Sequence, residues 1–489
     1  MSTPTSVRVA VAATLALAAL PAFAQVESAP PGVVSASAAL HPDNSLIAEI
    51  AVELDAPGRV YVEYAGPDGT LRSATTANPA RTFTVPLMRL LPDTEYTYAV
   101  VPVAGDGAAG TPAAEGTFRT RALPPALARL QIDVTGESTA ELVLLDLQDN
   151  PDSFFLFLDS RGRIVWYHRN RPVVADPPTP IRVVRQKPNH NLVYWEGGPT
   201  GRFVNCCLRE IDPLGRVVTR LVNNDIDKWA HHDLAILPDE QVLYIAHEIV
   251  TIDDTAQGGD AETRVLVDSL RLWDQVTHTT EELWDAQDHL SLDNRVRWSG
   301  DLKNWLNANS LSFGVRGNLI LSLSMRNEII SIAPDFKSIE WRLGGPESSY
   351  EFADPTDRFY FQHTAAELPN GNILLFDNGR DRPEEEGGEY SRALELALNT
   401  YDLIAVKVWE YRHTPDLYSL SRSSAYRLPS GTTLINFETN DRDPQRVIVE
   451  ADADGGVVWQ ADLRSPTIRN SYRAYPADTI MGERRIEEK

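Results

Sequence analysis

The feature that most constrains the fold of this chain is a hairpin pattern that recurs from residue 126 to the C-terminus. An apolar strand is followed by a turn rich in Pro, Asn, Asp and Gly and then by a second apolar strand, as in the segment HTAAELPNGNILLFDNG that begins at His363. Each copy is followed by a later strand with a Trp or a β-branched pair. The first strands of the copies begin near Leu142, Val183, Asp233, Ser310, Thr364 and Ser424.

Six such units, spaced by roughly forty to eighty residues with variable loops, are typical of four-stranded blades arranged around an axis. Long helical periodicity is absent from this region. The sequence therefore predicts an all-β fold with a six-bladed β-propeller at residues 126–489. The ring is expected to close by pairing of N- and C-terminal strands.

Residues 25–125 predict a separate, smaller domain. Short runs in which apolar and polar residues alternate, bounded by Gly and Pro turns, indicate an antiparallel β-sandwich. The segment LLPDTEYTYAV contains Tyr96 and resembles the turn before a core strand in fibronectin type III domains, where a tyrosine hydroxyl holds the loop. Tyr96 is expected to do the same here, and the segment around Pro124 and Pro125 is expected to be a stiff extended linker.

Residues 1–24 have the pattern of a secretory signal peptide. Arg8 supplies the positive charge, residues 9–20 form the apolar core, and Ala22-Phe23-Ala24 is the small–x–small cleavage site. The apolar run is too short for a permanent membrane helix, and no later segment is apolar enough to span a bilayer. We therefore expect a periplasmic or secreted protein, with a membrane anchor as the alternative.

The formal net charge of −24 argues against binding to nucleic acid or to anionic lipid. An anionic substrate would therefore need a local positive site within a negative surface. The two cysteines, Cys206 and Cys207, are adjacent, and either a strained disulfide or two buried thiols would be compatible with that spacing.

Aligning the hairpins on their turns gives five polar residues equivalent positions at the start of a first strand: Arg182, His232, Asn309, His363 and Ser423. The innermost strands of a propeller line its central channel, so these side chains are expected to form a ring at one mouth. Asp377 and Asn378 follow the second strand of the His363 hairpin and can approach that histidine. Such convergence indicates a functional site, with a water-filled channel as the alternative.

Several motifs occur in one order along the chain: AHHDLAILP from Ala230, NANS from Asn307, WRLGG from Trp341, FQHTAAELPNGNILLFDNG from Phe361 and SYRA from Ser471. Together they resemble the bacterial arylsulfate sulfotransferases that work without a nucleotide sulfate donor. The resemblance covers roughly residues 229–474. It implies a six-bladed propeller behind a small N-terminal β domain, in agreement with the repeats.

The resemblance also implies catalytic roles. His363, in the QH motif, is expected to attack the sulfur of a phenolic sulfate ester and form a sulfohistidine, from which a second phenol takes the group. His232, or alternatively His231, is expected to carry the phenol proton. Arg326 is expected to bind the sulfuryl oxygens.

The expected substrate-binding residues are Asn307, Asn309, Asn378, Arg182 and Ser423. Asn307 departs from the family pattern, which usually has a histidine two residues before Asn309. An amide can donate a hydrogen bond but cannot titrate, so this change bears on transferase activity or acceptor range.

No cofactor and no metal are expected. There is no Gly-rich phosphate loop before a helix. The acidic residues 381–386 and Glu389 lack regular calcium-ligand spacing and are interpreted as a solvated loop. The remaining histidines singled out by the analysis are interpreted as surface or loop residues: His247, His278, His289 and His413.

Three function classes remain open from the sequence. The first is a ping-pong sulfotransferase with small-molecule phenolic sulfates and phenols as partners, and the second is a sulfatase-like hydrolase. The third is a non-catalytic binding propeller, although a ring of titratable side chains at inner strand starts favours an enzyme. An edge strand of the sandwich could pair two chains, so a homodimer is also open.

Overall fold

The computed structural model describes residues 29–149, 153–170, 181–196, 207–222, 228–257, 259–292, 303–439, 446–466 and 468–486. The expected signal peptide and Cys206 lie outside these ranges, as do the side chains of Cys207 and Arg182. Within the described ranges, no helix has the length and apolar character needed to cross a membrane.

The N-terminal domain is built around one long strand that belongs to two sheets. The first half of the 19-residue strand β2 pairs with β1 and β4, and its second half pairs with β3 and β5. The bounds of the strands are β1 (Val33–Leu40), β2 (Ala48–Gly66), β3 (Gly69–Arg72), β4 (Ala80–Leu87), β5 (Glu95–Val103) and β6 (Ala113–Arg119).

Apolar side chains of these strands, including Ile50, Val62 and Tyr64, form the core of the domain. Tyr96 packs in the same core, and its Oη accepts a hydrogen bond from the backbone N–H of Leu91 at 2.9 Å. The expected loop-holding role of the Tyr96 hydroxyl is therefore confirmed. The likeness to fibronectin type III domains stays a prediction.

The described part of the chain after the N-terminal domain is also almost entirely β-structure. In chain order, its elements are the helical turn α1 (Pro125–Ala128) and the strands β7 (Gln131–Gly136), β8 (Leu142–Asp149), β9 (Ser153–Asp159), β10 (Ile164–Asn170), β11 (Ile181–Gln186), β12 (Leu192–Glu196), β13 (Cys207–Ile211), β14 (Val217–Val222), β15 (Lys228–Leu237), β16 (Gln241–Ile252), β17 (Thr263–Asp274), β18 (Thr279–Asp285), β19 (Lys303–Asn304), β20 (Ala308–Phe313), β21 (Leu319–Leu323), β22 (Glu328–Ile332), β23 (Ile339–Gly344), β24 (Glu351–Phe352), β25 (His363–Glu367), β26 (Ile373–Asp377), β27 (Arg392–Asn399), β28 (Ile404–Tyr411), β29 (Ser424–Arg427), β30 (Thr433–Glu438), β31 (Arg446–Ala451), β32 (Val457–Arg464), β33 (Ile468–Asn470), β34 (Ala474–Ala477) and β35 (Arg484–Arg485). Single 3-10 turns lie at Thr255–Gln257, Ala286–Asp288, Ser324–Arg326, Pro355–Asp357 and Glu384–Glu386.

These strands form the six predicted blades. From the innermost strand outward, blade 1 is β34-β8-β9-β10, blade 2 is β11 to β14 and blade 3 is β15 to β18. Blade 4 is β20 to β23, blade 5 is β25 to β28 and blade 6 is β29 to β32 with β7 as a fifth strand. The predicted Trp-containing strands are the fourth strands of five blades. The prediction of a six-bladed propeller is confirmed.

The ring closes at two places. The N-terminal strand β7 pairs with β32 at the outer edge of blade 6, and the C-terminal strand β34 pairs with β8 as the innermost strand of blade 1. Closure by N- and C-terminal strands is confirmed. The prediction that Leu142 begins a first strand is wrong, because β8 is the second strand of its blade.

The segment after Pro124 also differs from its prediction. Instead of continuing as an extended linker, Pro125–Ala128 forms one helical turn, and Leu127 is 1% exposed in the core of the propeller. Burial of apolar side chains favours a compact turn over a solvated spacer. The C-terminal strand β35 adds to β3 of the N-terminal sheet, which connects the two parts of the chain again.

A buried ion pair crosses the axis of the propeller. The Arg473 guanidinium of blade 1 donates to Asp233 Oδ2 of blade 3 at 2.8 Å and to the backbone oxygen of Asn309 in blade 4 at 2.6 Å. The side chains of Arg473 and Asp233 are 0% and 1% exposed. Asp233 also accepts hydrogen bonds from Arg185 and from the backbone of Leu234 and Leu311.

We expect Asp233→Asn to lower the free energy of unfolding by about 3–5 kcal/mol, because Arg473 and Arg185 lose the carboxylate charge with which both are paired. Urea unfolding at neutral pH measures the change. Asp416→Asn is the matched control, because the Arg412–Asp416 pair is 43% and 49% exposed and such pairs contribute at most about 1 kcal/mol. Equal effects of the two substitutions would contradict the central role of Asp233.

Candidate active site

Hydrogen bonds between blades show which residues occupy equivalent places around the channel. The backbone N–H of Leu311 donates to Asp233, that of Ala365 to Ser310, that of Ala425 to Thr364 and that of Ala474 to Ser424, at 3.0–3.2 Å. Each acceptor directly follows a residue of the predicted ring. His232, Asn309, His363 and Ser423 therefore have equivalent backbone positions on four successive blades.

The same comparison of backbone donors identifies a sixth residue of the ring, which the sequence analysis missed. Ala474 of blade 1 is equivalent to Ala365 and Ala425, so Tyr472 is equivalent to His363. The ring of Tyr472 lies 6.3 Å from that of His232 and 6.4 Å from that of His363, between centroids. The motif SYRA contained this residue, but the wrong first strand for blade 1 hid its place.

His363 is 2% exposed and both of its ring nitrogens have partners. Nδ1 lies 2.7 Å from Asn378 Oδ1 and 3.2 Å from the backbone oxygen of Phe361. Nε2 faces the backbone N–H of Arg422, which can only donate, at 3.2 Å. The proton of the neutral ring is therefore on Nδ1, and Nε2 carries the lone pair.

Asn378 fixes this tautomer because its side-chain amide cannot rotate by 180° and exchange its oxygen and nitrogen. Its Nδ2 donates to the backbone oxygens of Ser419 and Arg422, which leaves Oδ1 to accept from His363. The next residue, Gly379, has φ 70°, and a Cβ there would lie 1.8 Å from the oxygen of Tyr390. The Asp-Asn-Gly turn thus brings Asn378 behind the histidine, as the sequence indicated.

The environment of His363 keeps its imidazole neutral. Burial lowers its pKa to about 3, and the positive charges of Arg473 and Arg422 act in the same direction. Its hydrogen bond to Asn378 opposes this shift but does not offset it. At neutral pH the Nε2 lone pair is therefore unprotonated, as a nitrogen nucleophile requires.

His232 belongs to a cluster on blade 3. Its Nδ1 lies 2.6 Å from Nδ1 of His231, and the two rings are almost perpendicular at 87°. The ring of His231 stacks on that of His247 at 3.3 Å. His231 Nε2 and His247 Nδ1 lie 3.1 Å and 2.7 Å from one oxygen of Asp268. The prediction that His247 is a surface residue is wrong, since it is 1% exposed.

The nitrogens of His231, His232 and His247 are close enough for a metal to be considered, within 4.8 Å of one another. A histidine binds a metal through a lone pair in the plane of its ring. The ring planes of His231 and His247 are parallel within 2° and their centroids lie 3.3 Å apart, so their in-plane lone pairs run side by side and do not converge. This arrangement does not suit a single ion.

Arg326 lies in a different environment from His363. It is completely buried, and its Nε donates to Glu328 at 2.6 Å. It lines a cavity of about 650 Å³ together with Asn327, Arg358 and Tyr360. Asn327 connects this loop to the segment that leads into His363, because its Oδ1 accepts from the backbone N–H of Phe361 at 2.9 Å.

The two amides of the NANS motif contact neighbouring loops. Asn309 is 0% exposed, and its Nδ2 donates to the backbone oxygen of Gln362 at 2.7 Å, directly before His363. Asn307 has φ 50° and donates to Ser324 Oγ at 2.8 Å. Ser423 is also buried, and its Oγ accepts from the backbone N–H of Glu438.

Two buried carboxylates that the sequence analysis missed hold the segment around Tyr472. Asp146 accepts from the backbone N–H groups of Tyr472 and Arg473, and Glu438 accepts from that of Ser471. Burial raises the pKa of Asp146 to about 6 and that of Glu438 to about 7. Neither lies in a recognisable motif, so only the fold brings them to the mouth.

The sequence indicated a solvated loop at residues 381–386, but part of this acidic run is buried. Glu386 is 7% exposed and accepts hydrogen bonds from Tyr360 Oη at 2.7 Å and Arg358 at 3.0 Å. These bonds anchor the run next to the segment that precedes His363.

The chain was compared with solved structures and with curated proteins. A protein of unknown function from Bacteroides caccae shares 13% identity at a TM-score of 0.40, over 68% of this chain and 98% of its own. Virginiamycin B lyase from Staphylococcus aureus shares 8% identity at a TM-score of 0.32, over 68% and 99%. Neither likeness carries an argument at such scores. No curated protein sequence matches significantly.

A family model is more informative. The model described as arylsulfotransferase (ASST) matches residues 129–473, more than half of the chain, and the matched range contains all the ring residues. The chain therefore belongs to the arylsulfotransferase family, which supports aryl sulfotransferase activity in general terms.

Proposed function

We propose that this protein transfers a sulfuryl group from a phenolic sulfate ester to a phenolic acceptor through a sulfohistidine at His363. The observation that carries the proposal is the state of this imidazole. It is buried, has the lone pair on Nε2, and accepts its orientation from the Asn378 amide, whose oxygen and nitrogen are fixed by hydrogen bonds. These are the requirements of a positioned nitrogen nucleophile.

In the first half-reaction, His363 Nε2 attacks sulfur and the bond between sulfur and the phenolic oxygen breaks. The electron pair of that bond leaves with the phenolic oxygen, which takes the Nε2 proton of His232 in its imidazolium form, so that His232 becomes neutral and keeps a proton on Nδ1. The sulfo-imidazole keeps its proton on Nδ1, where Asn378 Oδ1 accepts it and stabilises the positive ring. The backbone N–H of Arg422 faces Nε2 of His363 in the free protein. Once the sulfuryl group is on Nε2, this N–H can donate to a sulfuryl oxygen.

In the second half-reaction, the oxygen of an incoming phenol attacks sulfur and the nitrogen–sulfur bond breaks. The electron pair returns to Nε2 of His363, and His232 takes the phenol proton. The same histidine therefore acts as acid in one half and as base in the other. Tyr472, between His232 and His363, offers an aromatic face to either phenol.

Arginine side chains near the mouth are proposed to favour an anionic donor. Arg326 remains the proposed partner of the sulfuryl oxygens, although its pairing with Glu328 means that one ligand oxygen would compete with that carboxylate. We propose Asn309 and Asn307 as amide donors, Ser423 and Arg182 as further substrate contacts, and Asn378 as a positioning residue for His363. Export through the N-terminal segment, and hence a periplasmic or secreted location, is also part of this proposal.

The proposal predicts that 4-nitrophenyl sulfate releases nitrophenol in a way that depends on an added phenol. His363→Asn should lower this rate by at least about a thousandfold, because no nucleophile remains. Absorbance of nitrophenolate measures the rate. The matched control is His278→Asn, in an exposed turn with φ 57°, where the rate should not change.

Other outcomes of this assay separate the alternatives. Release that needs no acceptor would identify a sulfatase-like hydrolase, with Asn307 as the first residue to examine. Silence of the wild type with several aryl sulfates would contradict the proposal and favour a binding propeller.

A second prediction concerns pH. Because burial lowers the pKa of His363 to about 3, the single-turnover rate with 4-nitrophenyl sulfate should stay constant from pH 8 down to about pH 4, where an ordinary histidine with a pKa near 6.5 would be protonated. Stopped-flow absorbance measures this rate. The experiment is repeated in Glu438→Gln, since Glu438 has a pKa of about 7. A fall with a midpoint near 6.5 in both proteins would contradict a neutral buried nucleophile.

A further inference from the structure

The cluster behind His232 contains more buried polar groups than a single proton carrier needs. Asp268, His231 and His247 are each 1–2% exposed. Asp268 is fixed from blade 4, because its Oδ2 accepts from the backbone N–H of Ala308 at 2.8 Å. Its other oxygen, Oδ1, faces the two stacked histidines.

The protons of this cluster follow from its contacts. Burial lowers the pKa of His231 to about 4 and the neighbouring ring of His247 acts in the same direction, so at neutral pH His231 carries one proton. That proton is on Nε2, since a lone pair 3.1 Å from a carboxylate oxygen would be repelled. His231 Nε2 and Asp268 Oδ1 do not form a hydrogen bond of regular geometry, but the attraction between an N–H group and a carboxylate 3.1 Å away does not depend on that geometry.

The contact with His231 also fixes the proton of His232. With its proton on Nε2, His231 presents a lone pair at Nδ1, which is 2.6 Å from Nδ1 of His232. Two lone pairs at that distance would repel each other, so His232 carries a proton on Nδ1. Its Nε2 is then the atom that takes or gives the phenol proton.

We propose that Asp268 and His231 are positioning residues that set the tautomer of His232 and stabilise its protonated form. This inference rests on the proposed function of His232 as acid and base. When His232 Nε2 takes a proton, the ring becomes an imidazolium whose Nδ1–H donates to His231. The buried charge of Asp268 then compensates the new positive charge through His231.

A β-bulge makes this contact available. The register between β15 and β16 shifts between His231 and Leu234, and His232 has φ 54°. In a regular strand, the side chains of two successive residues would point to opposite faces. The bulge instead lets the neighbouring rings of His231 and His232 meet at hydrogen-bonding distance.

Asp268→Asn tests the proposal. The backbone N–H of Ala308 needs an oxygen, so the amide NH₂ must replace Oδ1 and donate to His231 Nε2. The proton of His231 then moves to Nδ1, and His232 is forced to carry its proton on Nε2. The substitution changes charge and tautomer while it preserves shape.

The readout is the dependence on the leaving group. Phenyl sulfate releases a basic phenolate that needs a proton, whereas nitrophenolate leaves without one. We expect the single-turnover rate of cleavage in Asp268→Asn to fall about a hundredfold or more with phenyl sulfate and to change less than about threefold with 4-nitrophenyl sulfate. His231→Phe keeps the ring stack on His247 and should show the same selective loss.

Asp159→Asn is the matched control, because Asp159 is also a buried carboxylate that accepts backbone N–H groups, but in the β9–β10 turn of blade 1. Asp159→Asn should leave the ratio of the cleavage rates with phenyl sulfate and 4-nitrophenyl sulfate unchanged. Equal losses with both donors, or no loss, in Asp268→Asn would overturn the proposal.

A second measurement does not depend on activity. In ¹⁵N-histidine-labelled protein, at a pH high enough to keep His232 neutral, the His232 signals, identified by their absence in His232→Gln, should show the Nδ1–H tautomer in the wild type and the Nε2–H tautomer in Asp268→Asn. The same tautomer in both proteins would overturn the proposal even if the enzyme is active. Silence of the wild type toward both sulfate esters, with the expected tautomers, would instead contradict the sulfotransferase function.

Discussion

The ion pair between Asp233 and Arg473 is the interaction on which the arrangement of the mouth depends. Blades 1 and 4 lie opposite each other in a ring of six, and Arg473 reaches from blade 1 to Asp233 of blade 3 and to Asn309 of blade 4. Each charged residue directly follows a ring residue in the sequence: Arg473 follows Tyr472, and Asp233 follows His232. The pair therefore holds inner strands together at the level where the proposed chemistry takes place, and its burial makes the loss of either partner costly.

The two histidines of the proposed reaction are held in the same way by different partners. A buried amide, Asn378, holds His363 so that Nε2 has the lone pair, and a carboxylate acting through His231 does so for His232. An amide leaves the nucleophile neutral, whereas a carboxylate stabilises a proton carrier in its charged form. Similar imidazoles are thereby suited to different tasks by the charge of the group behind them.

The sequence alone was sufficient for much of the fold because its signals are local. Period-two alternation and Pro/Asn/Asp/Gly turns gave the blades their strands, and six copies fixed their number. His363 and Asn378 could be paired because the hairpin and its following turn bring them together within 15 residues. Tyr96 was identified for the same reason, since its bond to Leu91 spans only five residues.

The tertiary structure alone decided the contacts that join distant parts of the chain. Tyr472 enters the ring only because β34 becomes the innermost strand of blade 1, 326 residues from its partner Asp146. His247 and Asp268 approach His231 through strand pairing and a bulge, for which no motif exists. Local sequence determines which segments become strands and turns, because backbone preferences act between neighbours. The charges that surround a buried histidine are decided by packing, since they come from strands that only the closed ring brings together.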